Sequence, residues 1–218
     1  MSHTPGTRQV RPGVRQAQKE QTRQALLDAG LRLLDRQSLS SLGLREVTRA
    51  AGVAPTAFYR HFPDMAALGV ALVGEALGSL HTVIRDAMAG GQDAERLIDR
   101  TVAVTAAYVD EHRAHIRFIA RERYGGVRPV REAIAAELGR FTDEVAAGLA
   151  TQPVSAGWSA ADLRVLAALY VDHMVMTAAA LMEAPQRDPA AREVITRSAR
   201  LQMQIISLGR SHWPAGRP

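Results

Sequence analysis

Residues 44–62 read LREVTRAAGVAPTAFYRHF, and two short helices joined by a glycine turn account for this stretch. Leu44, Val47 and Ala51 recur at spacings of three and four, which places them on one helix face. Gly52 ends that helix, because glycine enters the left-handed region without steric cost. Pro55 opens the next, its fixed φ and missing N–H suiting the first helical position. This second helix buries Phe58 and reaches Phe62. The pair has the geometry of a helix-turn-helix, whose second helix enters a DNA major groove. With Phe58 inward, the outward set is Thr56, Ala57, Tyr59, Arg60 and His61. Thr56 and Tyr59 can donate to phosphates, Arg60 can reach a guanine edge or a phosphate, and Ala57 permits close approach. Arg45, at the start of the first helix of the pair, is placed to contact bases or backbone.

Upstream, Leu27, Leu31 and Leu34, widened by Leu26 and Leu33, predict a helix from Gln18 to about Gln37 that stops in Ser38–Ser41. Residues 1–17 combine Pro5, Gly6, Pro12 and Gly13 with Arg8, Arg11 and Arg15 and hold no acid. They read as a disordered basic arm, either reaching into a minor groove or serving only as a leader. Downstream, helices are predicted at Asp64 to about Met88, with Asp64 as N-cap, and at 93–110, 112–124, 128–150, 159–183 and 188–212. Gly90-Gly91, Gly125-Gly126, the stretch Pro153 to Gly157, and Pro185 with Pro189 separate them. No strand-like alternation or internal repeat occurs. The expected fold is all-α, with a three-helix DNA-binding domain over 18–62 and a six-helix ligand-binding and dimerisation domain over 63–218.

The charge is divided in the same way. Residues 1–62 carry ten Lys/Arg against four Asp/Glu, and residues 63–218 carry seventeen against eighteen. All of the formal net charge of +5 therefore lies in the first third, as expected of a nucleic-acid-binding module joined to a neutral body. An apolar fraction of 47% provides for a core, and 5% aromatic residues leave aliphatic side chains to fill it. The absence of cysteine excludes disulfides, thiolate metal sites and a cysteine nucleophile. With no apolar leader and no uninterrupted span of membrane length, a soluble cytoplasmic protein with no membrane partner is expected.

The second domain shows no catalytic constellation. It has no G-x-S-x-G, no Gly-rich phosphate loop and no nucleophile–base pair, so an enzyme is not expected. Glu111, His112 and His115, with His173, could in principle ligate a metal, but exposed polar histidines are commoner and no metal site is assigned. Arg113, Arg117 and Arg121 recur every four residues beside Ile116, Phe118 and Ile119. Two readings stay open: a solvated face paired with acids on adjacent turns, or an anion site beside an apolar cavity.

The 44–62 segment resembles the TetR family of bacterial repressors, with Ala51-Gly52-Val53, Thr56, Tyr59, His61 and Phe62 on the family pattern. The resemblance implies DNA contacts at Arg45, Thr56, Ala57, Tyr59, Arg60 and His61, with Phe58 and Phe62 as core. Two positions depart from the family pattern. Gly43 stands where a Ser or Thr cap is usual, and Met65 stands where a lysine is common, leaving phosphate binding there to backbone N–H groups and the helix dipole. RQAQKEQTRQAL, LREVTRAAGVAPTAFYRHFPDMAALG and IRFIARERYGG are similar to stretches of one TetR subgroup, the FabR and DesT repressors. That likeness covers most of 15–75 and 112–150.

What the resemblance implies is a repressor of unsaturated-fatty-acid synthesis genes, without a cofactor, whose effector is a long-chain acyl-CoA or another acyl thioester. On this reading an acyl chain lies among Leu77, Tyr108, Phe118, Phe141, Tyr170 and Met174, and Arg117, Arg121 or Arg123 meets the CoA phosphates. A TetR-type repressor for another hydrophobic small molecule is the alternative, and a ligand-independent DNA binder is a further one. Two apolar stripes, Leu163, Leu166, Ala167, Tyr170, Met174 and Ala178 on one helix and Val194, Leu201, Ile205 and Leu208 on the next, predict a four-helix interface in a homodimer. A homodimer would read a palindromic double-stranded operator in successive major grooves.

Overall fold

The computed structural model describes residues 12–88, 93–185 and 187–212. Nine α-helices make up these residues: α1 (Pro12–Leu34), α2 (Leu44–Ala51), α3 (Pro55–Phe58), α4 (Met65–Met88), α5 (Ala94–Glu111), α6 (Arg113–Glu122), α7 (Arg128–Ala150), α8 (Ala160–Glu183) and α9 (Pro189–Ser211). The chain is all-α, and no strand occurs among the described residues. A 3-10 turn at Pro153–Ser155 joins α7 to α8.

The predicted boundaries hold to within about two residues from α2 onward, except that α3 ends at Phe58, four residues before the expected Phe62. The exception at the N-terminus is informative. Helix α1 begins at Pro12, six residues before the expected onset, so residues 12–17 are helical rather than part of a disordered arm. Pro12 at the first helical position costs no hydrogen bond, and nothing from Gly13 to Ala17 forbids helix. The rest of the predicted arm, residues 1–11, lies outside the described residues.

Side-chain caps set several of the helix starts. Asp64 accepts a hydrogen bond from the Ala67 N–H at 2.8 Å, Asp93 from Arg96, Ser159 from Asp162 and Asp188 from Ala191. Each satisfies a donor that has no partner within its helix. Gly52, at φ +69°, ends α2 and donates to the Thr48 and Arg49 carbonyls. That left-handed residue lets the chain turn directly into α3.

The DNA-binding head and the larger domain share one core. Leu26, Leu27, Val47 and Phe58 of the head pack in the same cluster as Leu68 and Leu72 of α4 and Phe118, Ile119, Val130, Ile134 and Phe141 from α6 and α7. Close approach at α4 helps close this junction. A Cβ on Gly69 would strike the Leu39 side chain and fall 2.7 Å from Val130. The two domains are therefore continuous in packing, although they are distinct in charge.

Helix α8 and the stretch Met65–Thr82 of α4 are long and apolar enough, by length and composition, to cross a membrane. In this fold both serve as core helices. Leu68, Leu72, Val73, Ala76 and Leu77 of α4 are buried, as are Leu163, Leu166, Ala167 and Leu181 of α8.

Candidate DNA-binding head and ligand cavity

The reading head is built from α2 and α3. Arg45, Thr56, Tyr59 and Arg60 are exposed, Ala57 and His61 are half-buried, and Phe58 and Phe62 are buried. Tyr59 is 62% exposed although it follows the buried Phe58, and its ring meets that of Phe58 edge-on at 5.8 Å. Although α3 proper spans only four residues, backbone bonds from Arg60 to Ala57 and from His61 and Phe62 to Phe58 carry the turns on to Phe62. Those turns place Tyr59, Arg60 and His61 beyond a buried aromatic anchor.

Three basic residues enlarge this surface beyond the predicted set. Arg49 lies exposed on α2. Arg23 of α1 sits over the Phe62 ring at 5.4 Å. Burial lowers the His61 pKa, and the nearby Lys19 and Arg23 lower it further, so His61 presents a neutral, hydrogen-bonding ring at pH 7. The sequence signal for Lys19 and Arg23 was the basic run at the start of α1. At the α4 N-terminus, the Asp64 carboxylate occupies the Ala67 N–H, so that end offers a phosphate fewer free donors than the departure at Met65 implied. Gly43 caps α2 without a side-chain bond, as its identity requires.

Replacing Tyr59 with alanine is expected to weaken operator binding about tenfold, the lower part of the ~1–3 kcal/mol range for a good base or phosphate contact. Anisotropy titration of the variant would measure this. Unchanged affinity would place the recognition helix elsewhere.

The larger domain encloses an apolar cavity of about 260 Å³ between α4, α5, α6, α7, α8 and α9. Leu77, Tyr108, Phe141, Tyr170, Met174 and Arg123 all line it. Tyr108 turns its hydroxyl away, donating to the Ala76 carbonyl at 2.6 Å. Three predicted wall residues lie elsewhere. Phe118 belongs to the shared core, where it is 1% exposed. Arg117 pairs with Asp35, just beyond α1. Arg121 donates through Nη1 to the Leu34 and Gln37 carbonyls, each at 2.8 Å.

The arginine stripe of α6 is thus neither a solvated face nor the rim of the cavity. Arg113 donates to the Met182 carbonyl at the end of α8, and Arg121 serves the end of α1 in the same way. Guanidinium groups suit helix C-termini, where carbonyls lack partners and the dipole is negative. Between Arg121 and Arg123, the buried Glu122 accepts a bond from the Leu39 N–H at 2.9 Å. Helix α6 is therefore two-faced. Ile116, Ile119, Ala120 and Arg123 face the cavity, and Arg117, Arg121 and Glu122 hold the end of α1 and the turn that follows it. Sequence periodicity found the stripe, but the α1-end partners of Arg117 and Arg121 lie more than eighty residues away in the chain.

The histidines considered for metal take other partners. The His112 ring lies tilted against that of Tyr108, with centroids 4.3 Å apart, and His173 Nε2 lies 3.3 Å from the Ala199 carbonyl. Among the described residues no group of three or more His, Asp or Glu is arranged to hold a metal ion.

The outward faces of α8 and α9 are apolar. Val194, Leu201, Ile205 and Leu208 are exposed as one stripe on α9. On α8 the predicted stripe turns inward: Leu163, Leu166 and Ala167 are buried, and Tyr170, Met174 and Ala178 line the cavity. Val165, Leu169 and Met176 form the outward face instead. Helix α8 is apolar on more than one side, so hydrophobic periodicity alone did not single out its outer face.

Helices α2 and α3 thus form an exposed helix-turn-helix on an all-helical body that holds an apolar cavity. Residues 26–72 match the family of bacterial regulatory proteins described as tetR family. A helix-turn-helix transcriptional regulator from Haemophilus influenzae is 41% identical over 135 residues, covering 62% of this chain and 66% of the relative, slightly under two thirds of its length. Among solved structures, a transcriptional regulator from Pseudomonas aeruginosa PAO1 superposes with a TM-score of 0.70 at 15% identity, covering 93% of each chain. The regulator FadR from Bacillus subtilis, solved in complex with stearoyl-CoA, superposes at 0.68 with 13% identity, covering 83% of this chain and 96% of that one. The fatty acid degradation regulator FadR from Bacillus halodurans gives 0.62 at 13% identity, covering 90% and 97%. The family match is thus carried by residues 26–72, the helix-turn-helix and the start of α4.

Proposed function

We propose that this chain is a homodimeric, cytoplasmic repressor that binds palindromic double-stranded DNA through α2 and α3 and releases or tightens its grip according to a long acyl chain held in the cavity. Its targets are genes of unsaturated-fatty-acid synthesis and desaturation. The observation that carries this reading is the two-faced α6. One side walls the apolar cavity, and the other holds the end of α1. A ligand that moves α6 therefore has a direct mechanical route to the reading head, and straight and kinked chains filling the cavity differently would favour different settings of it.

Acyl-CoA is the form of effector that the sequence resemblance suggests, and stearoyl-CoA is the ligand of one structural neighbour. Of the three arginines expected to meet its phosphates, Arg123 is the one at the wall, paired with the exposed Asp172 at 3.3 Å. A second reading, another hydrophobic small molecule, is favoured by the cavity size. About 260 Å³ lies just below the ~300–1,000 Å³ of most ligand pockets, so a long chain must widen it. No catalytic role is proposed.

The test is an anisotropy titration on DNA from upstream of desaturation genes, with oleoyl-CoA or palmitoyl-CoA added. Opposite shifts by the two thioesters are expected, and indifference to both would discard acyl-CoA as the effector. Dimerisation rests on the exposed apolar faces of α8 and α9, which a second copy would cover as a four-helix bundle. Replacing Ile205, 59% exposed, with glutamate is expected to convert the dimer to monomer in light scattering at micromolar concentration. A dimer surviving that change would move the interface off α9.

A further inference from the structure

The cavity wall includes a buried cation that has no carboxylate partner among the described residues. Arg210, near the end of α9, lines the cavity and is 5% exposed. Its Nη2 donates to the Gln152 side-chain carbonyl at 2.8 Å, and its Nε is buried with no hydrogen-bond acceptor. Among the described residues no carboxylate lies within ion-pair distance of it. Tyr170 sits beside it, with its side chain bonded to Ser207, and packs against the apolar cluster of Leu149, Leu163, Leu166 and Ala167.

Burying a guanidinium against a neutral amide and a phenol is unfavourable. Desolvation pushes the Arg210 pKa down and the Tyr170 pKa up, both signs of a dry setting. An uncompensated buried charge is expensive in the free protein and becomes an asset when a ligand brings the missing anion. Arginine also suits a planar carboxylate, which its fork can meet with two parallel bonds.

Resting on the reading of this cavity as an acyl-chain site, we infer that Arg210 is the anchor for a ligand carboxylate, so that the preferred occupant is a long-chain carboxylic acid in its free form rather than its thioester. The chain lies along the apolar walls of α4, α5 and α8. The carboxylate takes the unused Nε donor, with Tyr170 alongside. A thioester lacks the negative oxygen pair at that position.

Displacement of an apolar fluorescent probe from the full-length protein tests this with oleic acid, oleyl alcohol and oleoyl-CoA. Oleic acid is expected to bind on the order of 10- to 100-fold tighter than the alcohol, the worth of a charge-assisted hydrogen bond. Arg210→Met should abolish that preference, so that the acid and the alcohol bind alike. The same variant should melt higher than the wild type without ligand, because an unpaired buried charge has been removed. Equal binding of acid and alcohol by the wild type, a preference that survives Arg210→Met, or tighter binding of oleoyl-CoA than of the acid would each overturn the inference while leaving the acyl-chain site standing. Failure of all three to displace the probe would remove the acyl-chain reading and the inference together. The acid–alcohol comparison in the wild type needs no variant to fold.

Discussion

Glu122→Ala is expected to lower the unfolding free energy by about 2–4 kcal/mol, the combined cost of a hydrogen bond to a charged group and of the space left behind. Glu122 is 1% exposed, and its Oε1 accepts the Leu39 N–H at 2.9 Å across the junction between the domains. Alanine would leave that N–H buried without a partner. Glu122→Gln keeps an accepting oxygen and is expected to cost only about 1 kcal/mol. Urea denaturation of both variants at pH 7 measures the difference. A loss in the alanine variant no larger than in the glutamine variant would show that the bond contributes little to holding α6 against the Ser38–Ser41 turn.

Arg121→Ala is expected to have a different signature, large in response and small in ligand affinity. Both of its bonds, to the Leu34 and Gln37 carbonyls, join α6 to the end of α1, and Arg121 is absent from the cavity wall. If α6 carries the signal, effector-dependent change in operator affinity should collapse from the ~5–150-fold typical of allosteric coupling towards unity. Effector affinity itself should change less than about threefold, since the coupling energy is all that is shared between the sites. Paired titrations of ligand and of DNA separate the two quantities. A variant that still responds in full would send the coupling route elsewhere, perforce through the packed core around Phe118 and Ile119.

Much of this architecture was legible in residue order. The 44–62 segment revealed two helices and their turn because each position is locally constrained: Gly52 by its left-handed φ, Pro55 by its ring, and Phe58 by helical spacing from Phe62. Caps at Asp64, Ser159 and Asp188 are equally local. The errors came where the deciding partner is remote. Arg117 and Arg121 form a regular stripe whichever way they bond, and only the position of the end of α1 shows that they bind it. In α8, apolar residues stand on both the inner and outer faces, so a choice between them requires knowing where α5, α7 and α9 lie. Arg210 shares a face with Met203 and Ser207 at spacings of seven and three, a pattern visible in the sequence but indistinguishable there from an exposed basic residue near a helix end.

The sequence by itself therefore determined the helices, the reading head and the segregation of positive charge, because periodicity, capping and backbone conformation act over a few residues. Tertiary structure alone decided which face of α8 is inside, that α6 joins the cavity to α1, and that Arg210 lies buried with no acid beside it among the described residues. Those outcomes depend on desolvation and hydrogen bonding between groups brought together from distant parts of the chain, and no local pattern encodes the company a side chain will keep.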